Sequence, residues 1–308
     1  MKKAIVTGAT GFVGSYLVAQ LSAAQYSVCA MVRSHAGKPV LPFPKDIRVV
    51  ACELSEYRSP AAAQALRMYR EADVFYHLAW EGSAGPSRGD YMLQLANVRH
   101  TCDAVSLASE LCCARFVGAG SIMEDECLQA LSAADANPPP TYHYSIAKHA
   151  AFLMAKTEAA KRNMPFLWGK ISNAYGANDP TERFINTMLR KMLKNEPCLL
   201  SPCTQTYDFI YISELARAFQ RIGEDGSPGE AYYIGSGKPA PLRAFVETMR
   251  GLTGTRSPIQ YGALPCNAAN LDAASFDHRK LLRDTGFVCQ IDFAQGIGKT
   301  LNQLQIDD

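Results

Sequence analysis

The sequence lacks the features that define several large classes of protein. No apolar run approaches the roughly 20 residues that span a bilayer, and the apolar stretch after Met1 is too short for a signal-peptide core. The 31 Lys and Arg residues nearly balance the 29 Asp and Glu residues, so the net charge of +2 gives no electrostatic case for nucleic acid or a membrane as partner. We therefore expect an ordinary globular protein, with neither nucleic acid nor a membrane as partner.

The ten cysteines lack an organising pattern. They are scattered along the chain or, at 112 and 113, adjacent, and no C-x-x-C pair provides the spacing typical of zinc sites or thioredoxin-like redox motifs. No metal is predicted. Scattered cysteines are typical of reduced, buried thiols, which indicates a cytoplasmic location.

The first two-thirds of the chain contain a regular alternation of short apolar runs and helical stretches. The apolar runs predict strands at 4–7, 27–32, 47–52, 73–78 and 115–118, with helices between them that include 12–24, 61–69 and 91–111. This alternation predicts an α/β fold, a Rossmann-type doubly wound parallel sheet whose strands are apolar throughout because helices cover both faces.

The pattern loosens after residue 171, where segments rich in Asn, Pro and Gly separate short helices. We predict a dinucleotide-binding Rossmann domain at 1–171, with contributions from about 205–235, and a smaller C-terminal α/β substrate lobe at 172–308. The lobe is expected over the carboxyl ends of the strands, where open α/β sheets bind ligands. A rigid turn from Asn137 to Pro140 precedes the helix that holds Tyr144.

A glycine-rich loop follows the first predicted strand directly and opens a helix. Glycines at these positions permit a tight turn and a close approach of the backbone to a pyrophosphate, and the helix N-terminus directs its free N–H groups at the phosphates. A lone glycine pattern also occurs where glycines serve packing alone, but the order strand, loop, helix favours dinucleotide binding. The predicted cofactor-binding residues of this loop are Gly8, Thr10, Gly11, Phe12, Val13 and Gly14.

The second strand is followed by Arg33 and Ser34 rather than by a carboxylate. An acidic residue at this position holds the ribose 2′-hydroxyl of NAD, whereas an arginine accommodates the 2′-phosphate of NADP. The pair therefore favours NADP(H) as cofactor, with NAD(H) possible if Arg33 is an ordinary surface residue.

Tyr144 and Lys148 lie four residues apart, which places a phenol and an ammonium on one face of a helix. A phenol with a pKa near 10 is a poor acid or base at neutral pH, and a nearby cation brings its pKa towards the working range. Upstream, Ser121 follows the fifth predicted strand, where its hydroxyl can meet a substrate carbonyl beside the tyrosine. The three residues in this order, behind a glycine loop, predict a catalytic Ser–Tyr–Lys set.

These motifs resemble those of the extended short-chain dehydrogenase/reductase family of nucleotide-sugar epimerases, dehydratases and reductases, over nearly the whole chain. The resemblance rests on the loop at 7–15, Glu53-Leu54, His77-Leu78-Ala79, Asn97, the set Ser121, Tyr144 and Lys148, the turn from Asn173 to Gly176, the segment from Asp208 to Ile212, and the stretch from Asp277 to Phe287. It implies that Glu53, Leu54, Leu78 and Ala79 contact the cofactor, that Lys148 also holds it, and that Asn173 contacts the substrate.

The resemblance also implies a reaction. Hydride transfer occurs at a carbinol or ketone carbon, with Tyr144 exchanging the proton, Ser121 polarising the oxygen and Lys148 tuning the tyrosine. The leading hypothesis is an NADPH-dependent reductase of a 4-keto-6-deoxy nucleotide sugar. The alternatives are an NAD-dependent sugar 4-epimerase, a reductase of a ketone without a diphosphate, and a non-catalytic dinucleotide sensor. A homodimer is expected through the helix of Tyr144 and the helix at 91–111.

Several positions depart from the family pattern. Ile122 and Met123 stand where dehydratases carry an acidic pair, which argues against a 4,6-dehydratase, and Glu124, Asp125 and Glu126 after them are expected in an exposed loop. Tyr207 and Asn267 stand where many members carry arginines that bind the diphosphate. Arg183, Arg190 or Lys191 are candidates to compensate. The predicted substrate-binding residues are Trp80, whose ring could equally serve packing, Ser121, Ile122, Met123, Tyr144, Asn173, Arg183 and Tyr207.

Overall fold

A computed structural model describes residues 1–35, 37–131, 139–181, 183–266 and 271–307. Asn137 and Pro138 of the predicted turn, and Asn267, lie outside the described residues. The strands, in chain order, are β1 (Lys3–Thr7), β2 (Ser27–Val32), β3 (Arg48–Ala51), β4 (Val74–His77), β5 (Phe116–Ser121), β6 (Phe166–Ile171), β7 (Asn173–Tyr175), β8 (Cys198–Leu199), β9 (Thr206–Tyr207), β10 (Phe209–Tyr211), β11 (Ala231–Ile234), β12 (Ala240–Pro241) and β13 (Ile259–Gln260).

Helices connect these strands. They are α1 (Phe12–Ala23), α2 (Pro60–Ala65), α3 (Tyr91–Glu110), α4 (Met123–Leu131), α5 (Tyr142–Lys161), α6 (Phe184–Leu193), α7 (Ile212–Asp225), α8 (Leu242–Thr253), α9 (Arg279–Thr285) and α10 (Phe293–Asp307), with short 3₁₀ segments at Leu54–Glu56, Arg67–Tyr69, Gly85–Gly89 and Ala273–Phe276. Among the helices described, none combines the length and the apolarity needed to cross a bilayer.

Seven strands form one sheet in the order β11-β6-β5-β4-β1-β2-β3, and every pairing between neighbours is parallel. Helices α1 and α7 pack together on one face, and α3 and α5 pack together on the other. Because both faces are covered, central strand residues such as Ile5, Val6 and Phe75 are fully buried. The predicted Rossmann-type fold is confirmed.

Strand β5 extends three residues beyond its predicted end at 118. The extension depends on small residues, because the indole of Trp168 on the neighbouring strand β6 lies directly over Gly118 and Gly120. A Cβ on Gly118 would lie 2.3 Å from the Trp168 ring, and one on Gly120 would lie 2.2 Å from its Nε1. The longer strand carries Ser121 to the carboxyl edge of the sheet.

The remaining strands form three two-stranded pairs outside the main sheet. The pair β7–β10 is parallel, β9–β12 is antiparallel and β8–β13 is parallel. The first of these pairs begins two residues after β6 ends, so it continues the chain from the carboxyl edge of the sheet. This places Asn173 and Tyr207 beyond the strand ends, where ligands bind in open α/β sheets.

Candidate active site

A cavity of about 250 Å³ lies at the carboxyl ends of β1, β2 and β4. Most of the predicted cofactor residues line it, namely Gly8, Thr10, Gly11, Phe12, Val13, Gly14, Arg33, Leu54, Leu78, Ala79 and Lys148. Ser34 and Glu53 are outside the lining and contact each other at the surface, where the Ser34 backbone N–H donates to Glu53 Oε1 at 2.7 Å. Glu53 thus orders the turn after β2 from outside the cavity.

The glycine loop allows a ligand to approach its backbone closely. Gly8 has a φ of +66°, and a Cβ there would lie 2.7 Å from the backbone nitrogen of Ala79. A Cβ on Gly14 would lie 2.1 Å from the Gly8 carbonyl oxygen. The N-cap of α1 is Gly11, which has no side chain to satisfy the first N–H groups of the helix. The loop therefore leaves backbone donors and a positive helix end for an anion, so the residues present fit a dinucleotide.

Arg33 and Glu81 form an ion pair at the wall of this cavity. Their Nη1 and Oε1 atoms are 2.8 Å apart, and both side chains are substantially exposed to solvent. An exposed pair of this kind contributes little stability, so either partner is available to a ligand. The sequence alone did not reveal that a carboxylate accompanies the arginine.

A second, larger cavity of about 780 Å³ adjoins the first. It contains most of the predicted substrate residues, namely Ser121, Ile122, Met123, Tyr144, Asn173, Arg183 and Tyr207. Trp80 lines the cofactor-side cavity instead, and Arg190 and Lys191 line neither of the two. Tyr144 and Arg183 line both cavities, so the predicted catalytic tyrosine lies at the junction of the two.

The predicted catalytic residues come together at this junction. Tyr144 on α5 and Ser121 at the end of β5 both line the larger cavity, and the Ser121 side chain is near enough to lower the pKa of Tyr144. One helical turn further along α5, Lys148 donates from Nζ to the carbonyl oxygen of Ala119 at 2.8 Å. Its Nζ also lies 3.7 Å from the ring centroid of Trp80. Hydroxyl, phenol and ammonium thus converge beside the cofactor-side cavity.

Trp80 packs against two of these groups, the Tyr144 phenol and the Lys148 ammonium. Its indole Nε1 donates to Gln94 Oε1 at 2.9 Å, which fixes the ring plane. The ring then packs edge-on against Tyr144, with centroids 5.9 Å apart, and presents its face to Lys148. The ring therefore has the packing role that the sequence left open, and it packs against two of the predicted catalytic side chains.

Burial and neighbouring charges have opposite effects on the pKa values of Tyr144 and Lys148. Burial raises the pKa of Tyr144, while the Arg88 guanidinium, the Ser121 side chain and the charge of Arg183 act to lower that pKa. Burial likewise lowers the pKa of the Lys148 ammonium, and the carboxylate of Glu124 opposes this. Displaced pKa values on a phenol and an amine in a cleft are typical of acid–base sites.

The exposed loop predicted for residues 124–126 is wrong. These residues lie in the first turn of helix α4, and Glu124 is fully buried. Its Oε1 accepts from the Ser121 backbone N–H at 2.8 Å and from Trp168 Nε1 at 3.2 Å. Burial raises the pKa of this carboxyl. Glu124 therefore fixes the backbone of the predicted catalytic serine.

Several side chains of the larger cavity were not predicted, and two of the charged ones affect its electrostatics. Glu126, half-buried on α4, and Arg88, in the 3₁₀ segment Gly85–Gly89, both line it. Burial raises the pKa of Glu126, and the Arg88 guanidinium opposes that rise. The triplet of acidic residues after Ser121 was the available signal for Glu126, while nothing in the sequence marked Arg88.

Fold and site together define a dinucleotide-binding α/β protein with a Ser–Tyr–Lys set at the strand ends. Residues 4–235 match the NAD dependent epimerase/dehydratase family, and the chain belongs to it. This confirms the predicted kinship with extended short-chain dehydrogenases/reductases.

Individual relatives are distant. The CDP-abequose synthase of Salmonella muenchen is 26% identical over 135 residues, which cover 43% of this chain and 46% of that protein. The human dTDP-D-glucose 4,6-dehydratase is 29% identical over 98 residues, which cover 32% of this chain and 28% of the relative. The chain thus spans less than half the length of these curated relatives.

Solved structures share the whole fold. A UDP-glucose 4-epimerase of Thermotoga maritima, determined with UDP-glucose, has a TM-score of 0.83 at 17% identity and covers 99% of both chains. MoeE5, determined with UDP-glucuronic acid and NAD, has a TM-score of 0.78 at 23% identity and covers 100% of both chains. At these identities the likeness establishes the fold alone.

Proposed function

We propose that this protein is an NADPH-dependent reductase that converts the 4-keto group of a 6-deoxy nucleotide sugar to an alcohol. The observation that carries the proposal is the position of Tyr144, which lies near Ser121 and lines both the cofactor-side cavity and the larger cavity. A proton donor at that junction can protonate the oxygen of a ketone that is bound in the larger cavity and receives its hydride from a cofactor in the cofactor-side cavity.

The mechanism assigns each side chain a task. Bound NADPH would lie against the glycine loop and Lys148 and would supply the hydride. The Ser121 hydroxyl donates a hydrogen bond to the ketone oxygen and polarises it, and the Tyr144 phenol gives its proton to the same oxygen. Lys148, fixed by Ala119 and the Trp80 face, holds positive charge beside the site. Both hydroxyl-bearing residues are buried, which limits competing water.

A reductase or epimerase suits the larger cavity better than a dehydratase does. The two residues after Ser121, Ile122 and Met123, line the cavity and offer no proton-transferring group. The nucleotide-sugar half of the proposal is supported by the names of the relatives and by the ligands of the solved neighbours. Within the proposal, residues 1–171 with about 205–235 bind the dinucleotide, and 172–308 shape the substrate side.

Arg33 gives the first test of the cofactor. We expect nucleotide-stripped protein to bind NADPH more tightly than NADH, and Arg33→Ala to weaken NADPH binding about 10- to 100-fold while NADH binding changes little, because a charge-assisted contact to a phosphate is lost. Fluorescence titration under identical conditions measures both affinities. Arg99→Ala is the matched control, because the exposed Arg99 side chain also pairs with a carboxylate, that of Asp103, but lies on α3 outside both cavity linings.

One observation favours a second candidate, the NAD-dependent 4-epimerase. Glu81 places a carboxylate beside Arg33 in the cofactor-side cavity, and a carboxylate is the group that holds the ribose 2′-hydroxyl of NAD. A preference for NADH in the titration, or NAD retained through purification, would replace the reductase with this candidate. An epimerase would also form product without net consumption of nicotinamide.

The diphosphate of the substrate has its own test. Arg183 is the predicted compensating cation that lines the larger cavity, but its Nε lies 3.6 Å from Asp179 Oδ2, which offsets part of its charge. A specific nucleoside diphosphate should raise the melting temperature through mass action. If no nucleoside diphosphate does so, a ketone without a diphosphate becomes the better substrate hypothesis.

The outer faces of α3 and α5 support the proposed homodimer. The apolar side chains of Tyr91, Met92 and Leu95 on α3, and of Leu153 and Met154 on α5, are each at least half exposed. Neighbouring helices with such faces are typical of a helical subunit interface. We expect sedimentation to show a dimer, and Leu95→Glu with Leu153→Glu to give a monomer. Leu252→Glu, an exposed leucine on α8, is the control, and a monomeric parent at micromolar concentration would contradict the proposal.

A further inference from the structure

Arg88 occupies a position beside the reacting groups that the proposed mechanism does not use. It lines the larger cavity, and its guanidinium carbon lies 4.8 Å from the ring centroid of Tyr144. Lys148, the cation expected to tune that tyrosine, lies further away, with Nζ 6.0 Å from the same centroid. The cation nearest the catalytic ring, among the residues described, is therefore the arginine.

The structure holds Arg88 in this place from two sides. Its Nε donates to the Ser83 carbonyl oxygen at 2.8 Å, and its side chain lines the larger cavity. The 3₁₀ segment that carries it is attached to the start of α5, where His143 Nδ1 lies 3.0 Å from the Gly89 carbonyl oxygen and Gly89 packs against Pro140. Arg88 and Tyr144 thus belong to one locally connected unit.

We propose that Arg88 is a positioning residue that acts through Tyr144, by stabilising the phenolate formed when the tyrosine gives up its proton. The inference rests on the acid role of Tyr144 in the proposed function. In that step the phenol O–H bond breaks, the proton goes to the ketone oxygen as the hydride reaches the carbon, and the O–H electron pair stays on Tyr144. Solvent then returns a proton to the phenolate.

The charges around Tyr144 explain why an arginine serves here. Glu124 on α4 disfavours the phenolate, whereas Arg88 and, more weakly, Arg183 favour it. Burial lowers the pKa of Lys148 on the same helix, so its charge declines as the pH rises. A guanidinium remains protonated at every working pH, so Arg88 supplies a cation that persists when Lys148 is neutral.

The test is a comparison of Arg88→Gln and Arg88→Lys. Removing the charge destabilises the phenolate, so Arg88→Gln should raise the pKa of Tyr144 by about one pH unit. Ultraviolet difference titration of each protein against its own Tyr144→Phe partner isolates this phenol from the other tyrosines. Arg88→Lys should restore part of the shift, and Arg250→Gln, an exposed arginine on α8, should leave the titration unchanged.

Kinetics supply the second readout. For reduction, the alkaline limb of kcat/KM should move upward with the phenol pKa in Arg88→Gln. An unchanged titration overturns the inference, whether or not a keto sugar is turned over. A change in KM alone, with titration and pH limb unmoved, also overturns it, because Arg88 would then contact substrate only. If no keto sugar reacts but the titration shifts, the inference stands and the proposed function fails.

Discussion

Tyr144→Phe is expected to lower kcat/KM by about 100- to 10,000-fold, the range that a positioned general acid contributes. The phenyl ring still fills the space against Trp80, so the loss follows from the missing proton donor rather than from packing. Cofactor affinity should stay within about twofold, because the glycine loop and Lys148 are untouched. Steady-state kinetics with titration of NADPH and NADH would measure both effects.

Tyr142→Phe provides the control for this experiment. Tyr142 lies two residues earlier on the same helix and outside both cavity linings, so its substitution should leave kcat/KM unchanged. Equal activity of Tyr144→Phe and the parent would remove the catalytic assignment. It would leave the non-catalytic dinucleotide sensor or another proton donor, for which Glu126 is one acid that lines the larger cavity.

Glu124→Leu is expected to destabilise the fold by about 2–5 kcal/mol, because the buried donors on Ser121 and Trp168 lose their acceptor. Urea unfolding followed by circular dichroism measures the change. The control Glu110→Leu, at the exposed end of α3, should stay within about 0.5 kcal/mol of the parent. A near-neutral Glu124→Leu would show that water or a shifted backbone replaces the carboxylate.

The conservative variant Glu124→Gln separates charge from hydrogen bonding. The glutamine amide oxygen can accept from both donors. In the parent, Glu124 Oε2 lies 4.0 Å from His149 Nδ1, and neither of these two atoms has a hydrogen-bond partner among the described residues. The amide N–H₂ of the variant would face this histidine nitrogen. Because burial raises the folded-state pKa of Glu124, its contribution to stability is greatest at low pH and is lost as the pH rises through that value. Glu124→Gln should therefore gain stability relative to the parent as the pH rises.

The fold was predictable because its signals are local. The apolar runs of β1 to β5 are recognisable in the sequence, and the glycine loop lies between a strand and a helix that are adjacent in sequence. Ser121, Tyr144 and Lys148 were predicted in the same way, from residue type and spacing. Strand β5 was predicted too short because glycines weaken a strand signal unless the residue that covers them, here Trp168, is known.

The parts of the site that escaped prediction depend on contacts between distant segments. Glu124 was placed in an exposed loop because an acidic triplet is usually solvated, and its partner Trp168 lies 44 residues away. Arg88 meets Tyr144 only because the segment after β4 folds onto the start of α5. Neither of these two contacts produces a periodic pattern in the sequence.

The indole of Trp168 constrains the residues at three other positions, 118, 120 and 124, so these positions are expected to vary together with 168. It fits only over glycine at 118 and 120, and it also supplies one of the two hydrogen-bond donors that satisfy Glu124. A homologue with a small residue at 168 is free to carry side chains on β5, but it loses a donor for a buried carboxylate and should carry a different residue at 124. Substitutions at these four positions are therefore expected to arise together, and a library that varies them one at a time would recover few folded proteins.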